Sequence, residues 1–146
     1  MITSDHQDFL ASWLCRRIGL TPTAHLTCIG RIEGDRLLGV VGYDGFNGAS
    51  IQMHSAGEGN WVNRDFLWAA FHYPFEVCKA NMVLGLIPSG NEQAIKFNKH
   101  LGFHVELALK DAHPDGALVI MSMRREECRF LKRKHHGQEI QSTTSA

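Results

Sequence analysis

Two short stretches carry residue types and spacings that could do chemistry. In the first, 49–66, a strand-like run (49–55) leads into the loop "AGEGNWVN" and then a helix that Asn63 can cap. Free backbone amides and the positive end of a helix dipole meet at such a junction, which suits an anion such as a phosphate. The plain alternative is a turn whose glycines serve geometry alone. The second stretch is "NEQAIKFNKHLGF", 91–103, in which Ala94, Phe97, Asn98 and Leu101 fall at i, i+3, i+4 and i+7. Asn98 therefore shares the apolar stripe of a helix and, if buried, needs hydrogen-bond partners. It is either a polar group beside a ligand or a core amide bonded to backbone. Asn91 reads as the cap of that helix. Neither stretch is a Walker GxxxxGK[ST] or a Rossmann GxGxxG, so neither nucleotide hydrolysis nor dinucleotide redox is indicated.

Metal chemistry finds little support. There are nine histidines but no HExxH, and the one His pair, His135-His136, lies near the C-terminus. Cys15, Cys28, Cys78 and Cys128 form no CxxC pair and read as inert thiols rather than disulfides or zinc ligands.

The elements that must position these residues follow from periodicity and punctuation. Phe9, Leu10, Trp13, Leu14 and Arg17 lie at helical spacing, with Ser4 or Asp5 as the expected cap and Gly19 and Pro22 as the stop. Turn residues at Glu33-Gly34-Asp35 and Gly45-Phe46-Asn47-Gly48 divide 24–55 into three antiparallel strands: 24–32, 36–43 and 49–55. From Asn63 a helix buries Phe66, Leu67, Ala70 and Phe71 until Pro74 kinks or ends it. Trp68 on that helix and Trp61 before it read first as packing residues. "NMVLGLIP" is a continuous apolar run, expected to be a central strand covered on both faces. After the 91–101 helix come two strands, 104–110 and 117–123, joined by a turn over 111–116.

With 146 residues, 44% of them hydrophobic and 21% charged, the chain suits one folded domain, expected over 1–131, and is too short for two. The remainder, 132–146, reads as a basic then polar tail, expected to be disordered. No apolar run approaches the ~18 residues of a membrane span, and Asp5 and Asp8 spoil a signal peptide, so the expectation is a cytoplasmic protein that does not engage membrane. Net charge is zero but uneven. Residues 124–136 hold six Lys/Arg against Glu126 and Glu127, a net of +4. That arm is a candidate contact for an acidic partner or nucleic acid, or simply a solvated helix end.

The element order, together with "SGNEQAIKFNKHLGF" after an apolar strand, resembles the GNAT superfamily of acyl-CoA-dependent N-acyltransferases. That family's helix often reads Asn-x-x-Ala-x-x-(Leu/Phe)-Tyr-x-x-x-Gly-Phe, and Asn91, Ala94, Phe97, Gly102 and Phe103 match it. The ending "ALKDAHPDGALVIMSMRREECRFL" is similar to the last strands of the ribosomal-protein-acetylating type and of prophage-borne members. The likeness covers roughly 24–131. It implies an α/β fold, a mixed and mostly antiparallel sheet with helices on both faces. It also implies transfer of an acetyl group from acetyl-CoA to a primary amine, whether a protein N-terminus, a lysine or a small molecule. The rival is a GNAT-fold binding or assembly protein without catalysis.

The resemblance places Met53, His54 and Ser55 against the acyl-CoA. Gly57, Gly59, Asn60, Asn63 and Arg64 would meet its pyrophosphate, and Asn91 and Asn98 complete the cofactor-binding set. His54, an imidazole that can change charge near neutral pH, is the candidate base, with Glu33 and Glu58 behind it. Tyr43 and Tyr73 are candidate acids, because the family's helix Tyr aligns with Asn98. Thiolate departure need not use one, a thiol of pKa about 8.5 being a fair leaving group. The family's pyrophosphate loop is usually basic, whereas this one offers Glu58 and Arg64. A second copy of the chain is a further candidate partner.

Overall fold

The computed structural model describes residues 1–132. The expected tail, with Arg133, Lys134 and the His135-His136 pair, otherwise lies outside the described residues. Seven strands run along the chain: β1 (Ile2–Thr3), β2 (Thr27–Glu33), β3 (Arg36–Asp44), β4 (Ser50–Gly57), β5 (Met82–Pro88), β6 (His104–His113) and β7 (Gly116–Arg124). They form one sheet in the order β1-β2-β3-β4-β5-β7-β6, in which only β4 and β5 are parallel. Three α-helices, α1 (Gln7–Ile18), α2 (Arg64–His72) and α3 (Glu92–Leu101), cover parts of both faces.

One face belongs to α1. Gly30 and Gly42 let it come close: a Cβ on Gly30 would lie 2.7 Å from Leu10, and one on Gly42 2.6 Å from Leu14. Leu10, Leu14, Cys15, Leu26, Cys28 and Val40 form the core there. Burial pushes the Cys28 thiol up to about 12, which suits an inert core residue. α2 and α3 lie on the other face, over a larger core centred on Phe71, whose ring stacks on Phe130 at 5.2 Å and meets Phe75 and Phe103.

Several expectations give way to tertiary packing. Ser4 and Asp5 do not cap α1; His6 takes that place in a left-handed conformation without a capping side chain. The Gln7 carboxamide instead bonds both the amide and the carbonyl of Cys28, acting as a strand partner for β2. Phe9, expected on the buried stripe, is 59% exposed. β6 runs on to His113, so the hairpin to β7 turns through Pro114 and Asp115 alone rather than through 111–116. β5 is not covered on both faces: its residues alternate, with Val83, Gly85 and Ile87 buried under α3 and Leu84 and Leu86 half-exposed opposite.

Pro74 acts as expected, with an added consequence. The α-helix ends at His72 and a π turn, Tyr73–Val77, follows, closed by the Cys78 amide on the Tyr73 carbonyl at 2.9 Å. Proline has no amide to offer the carbonyl four residues back, that of Ala70. The buried Tyr43 hydroxyl donates to that carbonyl instead.

Candidate functional site

The parallel pair β4–β5 holds for three residues, Ser50↔Met82, Ile51↔Val83 and Gln52↔Leu84, and then parts. Met53, His54 and Ser55 lie on the stretch of β4 that has left β5 while staying paired to β3 as far as Gly57. The result is a wedge-shaped opening in the middle of the sheet, with main-chain groups along its β4 side.

At its end, the loop before α2 leaves its amides free. Those of Gly59, Asn60, Trp61 and Asn63 enter no hydrogen bond among the described residues, and Gly59 takes a left-handed φ of 55°. The Asn63 side chain caps α2 by accepting from the Phe66 amide at 2.7 Å, so it is the main chain here, not that carboxamide, that is open to an anion. Arg64 is exposed in the first turn and makes no ion pair among the described residues.

Glu58, the residue out of keeping with an anion site, faces Arg17 and Arg36 at 3.0 Å each. Hydrogen bonds from Arg17 and then Arg36 hold its carboxyl below the ordinary 4.5, which counts against it as a base near neutral pH. Arg31 donates to the Asn60 carbonyl and pairs with Glu33 at 3.5 Å, which places Glu33 at the exposed β2–β3 hairpin. Three arginines thus pair with two carboxylates, and with Arg64 beside them the loop's surroundings are basic after all.

Because the Glu58 carboxyl is held low, its double clamp contributes above the ordinary carboxylate range and is lost as pH falls through the lowered value. Trp61, three residues on, reports it. Its fluorescence is expected to stay constant from neutral pH to about 4.5 and to change only below that. Glu58→Gln should abolish the acid transition, and a transition that persists in this variant would assign it elsewhere.

Trp61 lies flat on two glycines: a Cβ on Gly57 would come within 2.1 Å of the ring and one on Gly39 within 2.5 Å. Gly57 therefore serves the packing of Trp61. The indole also meets Phe66 of α2 at 6.0 Å and Phe97 of α3 at 5.8 Å, so it reaches from the end of β4 to the helix that follows β5. Trp68, at the edge of the core, stacks on His72 at 4.3 Å.

On the β5 side stands Asn98. Its amide nitrogen would be 3.2 Å from a Cβ on Gly85, the residue just past the last β4–β5 pair. Its carbonyl receives the Gly102 and Phe103 amides, but its side chain makes no hydrogen bond among the described residues. The half-buried carboxamide is thus not the backbone-bonded core group that one reading expected. Asn91 caps α3, accepting from the Ala94 amide at 3.2 Å.

His54 projects to the α1 face, opposite Gly42. Its Nε2 lies 2.9 Å from Oδ1 of Asp44, with the two side chains 13% and 17% exposed. Asp44 was missed at the sequence level because the strand was ended one residue early, at 43. Carried one residue further, the hairpin register would have set Asp44 opposite Gln52, on the same face as His54. When Nε2 donates to Asp44, Nδ1 keeps the lone pair that can accept a proton.

Neither tyrosine stands at the opening. Tyr43 is wholly buried, its hydroxyl committed to Ala70 and its pKa driven well up by burial. Tyr73 packs on it at 4.8 Å and is pushed up to about 12 by burial first and then by Cys78. Phenols this weakly acidic are poor proton donors to a thiolate. Among the described residues no three His, Cys, Asp or Glu side chains gather to hold a metal ion, and no helix is long and apolar enough to cross a membrane.

The chain matches no family model and no curated protein. Solved structures are another matter. It is similar to spermidine N-acetyltransferase from Vibrio cholerae in complex with CoA and spermine, with a TM-score of 0.61 and 14% identity over 71% of this chain and 68% of that one. It is similar also to the N-acetyltransferase PseH of Campylobacter jejuni in complex with acetyl coenzyme A, with a TM-score of 0.55 and 13% identity over 70% of each chain. The fold is that of the GNAT acetyltransferases. A third GNAT-fold structure, of an inferred acetyltransferase, aligns with a TM-score of 0.64 and 21% identity over 75% of this chain. This chain spans 62% of that structure's length.

Proposed function

We propose that this protein is an N-acetyltransferase that moves the acetyl group of acetyl-CoA to a primary amine by direct attack. The observation that carries the reading is the parting of β4 from β5 after Gln52 and Leu84, set directly before the free amides of the loop that enters α2. Relatives in fold bind acetyl-CoA or CoA, and one also spermine, in their solved complexes.

The amides of Gly59, Asn60 and Trp61, with Arg64, would receive the pyrophosphate. Main-chain groups of Met53, His54 and Ser55 would hold the pantetheine and polarise the thioester carbonyl, and the Asn98 carboxamide would bond to the pantetheine or the thiol. Acetyl-CoA supplies an acyl carbon joined to a sulfur leaving group. The amine's lone pair forms the N–C bond, the C–S electron pair leaves on sulfur, and His54 takes the ammonium proton while Asp44 holds the ring. The thiolate is stable enough to leave without a phenol beside it.

Asn98→Ala is expected to weaken acetyl-CoA binding by about 2- to 10-fold, the worth of one neutral hydrogen bond. The melting temperature should not change, and a lower melting temperature with intact affinity would make the residue structural. The reading as a whole is tested by calorimetric titration with acetyl-CoA and with CoA, followed by amine-dependent thiol release. Saturable binding with amine-dependent release supports it. Tight binding with no release across a broad amine panel would favour a binding protein instead, and no binding up to millimolar ligand would remove the acyl donor altogether.

A further inference from the structure

One face of the sheet is only half covered. α1 packs on β2, β3 and β4, whereas on the same side of β5, β7 and β6 no described α-helix lies. The register places there Leu84 and Leu86 of β5, Leu118 and Ile120 of β7, and Leu107 and Leu109 of β6. None of the six belongs to either core cluster, and Leu107 and Leu109 are each 45% exposed. One row of this surface is Leu86, Ile120 and Leu107, side by side across three strands. Continuing the β4–β5 register past Gln52↔Leu84 brings His54 to the head of that row, across the opening. With strands about 4.8 Å apart, the row is on the order of 10 Å long.

The row itself carries no polar side chain between His54 and Leu107. Asp44 holds His54, and Glu106 accepts from the Ser122 hydroxyl at 2.7 Å. A polyamine would bring cations to a row that itself holds no carboxylate, the nearby Glu106 standing beside Ser122 and off that row. A peptide would bring amides that leucine side chains cannot satisfy. A hydrocarbon body needs neither.

Resting on the acyltransfer reading above, we infer that the acceptor is a small-molecule primary amine on an extended apolar body. Its nitrogen lies at His54 and its body along Leu86, Ile120 and Leu107. The donor and the acceptor then meet through the opening from opposite faces, since Asn98 and Trp61 lie on the other side.

The test is kcat/KM over the series butylamine, hexylamine, octylamine, set against spermidine and a short peptide with an N-terminal leucine, after calorimetry has shown that acetyl-CoA binds. The rate constant is expected to rise about 2- to 4-fold per methylene, which over four methylenes makes octylamine about 16- to 250-fold better than butylamine. Leu107→Glu should lower the octylamine value by about 10-fold. Val105→Glu, on the same strand but the opposite face and 47% exposed, should leave the series unaltered. Should Leu107→Glu fold poorly, Leu107→Asn gives the same readout with a milder change. Spermidine or the peptide outperforming octylamine, or no dependence on chain length, would overturn the inference while acetyl transfer stands. So would sedimentation showing that Leu107→Glu splits a dimer with the series intact, since the face would then be covered by a second copy. Failure to bind acetyl-CoA would instead bring down the acyltransfer reading, and this inference with it.

Discussion

His54→Ala is expected to lower kcat/KM for amine acetylation by about 10²- to 10³-fold near neutral pH, the usual worth of a positioned general base. The amine must lose a proton as the N–C bond forms. His54 is the ionisable side chain on the parted stretch of β4, with Asp44 2.9 Å away to orient it and to stabilise the imidazolium. The acid limb of the pH profile should vanish with the imidazole. Asp44→Asn preserves shape and removes the charge, so a loss of about 10- to 10²-fold is expected. Because the two act as one unit, adding Asp44→Asn to His54→Ala should cost almost nothing more. A purely structural ion pair would leave the pH profile of both variants as in the parent, and that outcome would remove His54 as the base.

The second large effect falls on stability. Phe71 is fully buried and touches Phe75, Phe103 and Phe130, so it ties α2 to the π turn, to the start of β6 and to the last turn of the described chain. Phe71→Ala is expected to cost about 3–5 kcal/mol through lost transfer free energy and the cavity left behind. That is a large part of a typical domain's roughly 5–15 kcal/mol. Urea unfolding of the variant should show it as a lower midpoint with a similar slope. Phe9→Ala, on an exposed face of α1, should stay within about 0.5 kcal/mol of the parent. A small effect at Phe71 would mean that α2, and with it the loop of free amides, is held by something other than this aromatic cluster.

How far the residues announced this architecture depends on the kind of interaction. Helices and strands that follow from local periodicity and turn residues were legible: β2 to β4 from the breaks at 33–35 and 45–48, and α3 from its stripe and the Asn91 cap. The turn before β7 and the cap of α1 were not, because tertiary contacts set them. The Gln7 carboxamide is drawn 21 residues away to Cys28, and nothing near Gln7 in sequence signals it. "NMVLGLIP" reads the same whether one face or two are buried, since apolarity along the chain does not say which neighbours arrive. For the candidate site, the glycine-bearing loop before α2 and the place of Asn98 on the α3 stripe could be named from the chain. The neutralising of Glu58 by Arg17 and Arg36 could not, because those residues come from α1 and β3 and only folding brings them together. Tyr43 looked chemically useful for its hydroxyl, and packing gave that hydroxyl a different task.

That task binds two distant positions of the chain into a single inherited unit. Pro74 leaves the Ala70 carbonyl without its helical donor, and Tyr43 supplies one from a strand on the other side of the core. Tyr43→Phe should therefore be harmful in this chain but close to neutral once residue 74 regains an amide. Pro74→Ala should likewise be better tolerated in combination with Tyr43→Phe than alone, where the restored amide would compete with the tyrosine hydroxyl. As lineages of this protein diverge, a tyrosine at 43 and a proline at 74 are expected to appear and disappear together, a record of one carbonyl written at two sites.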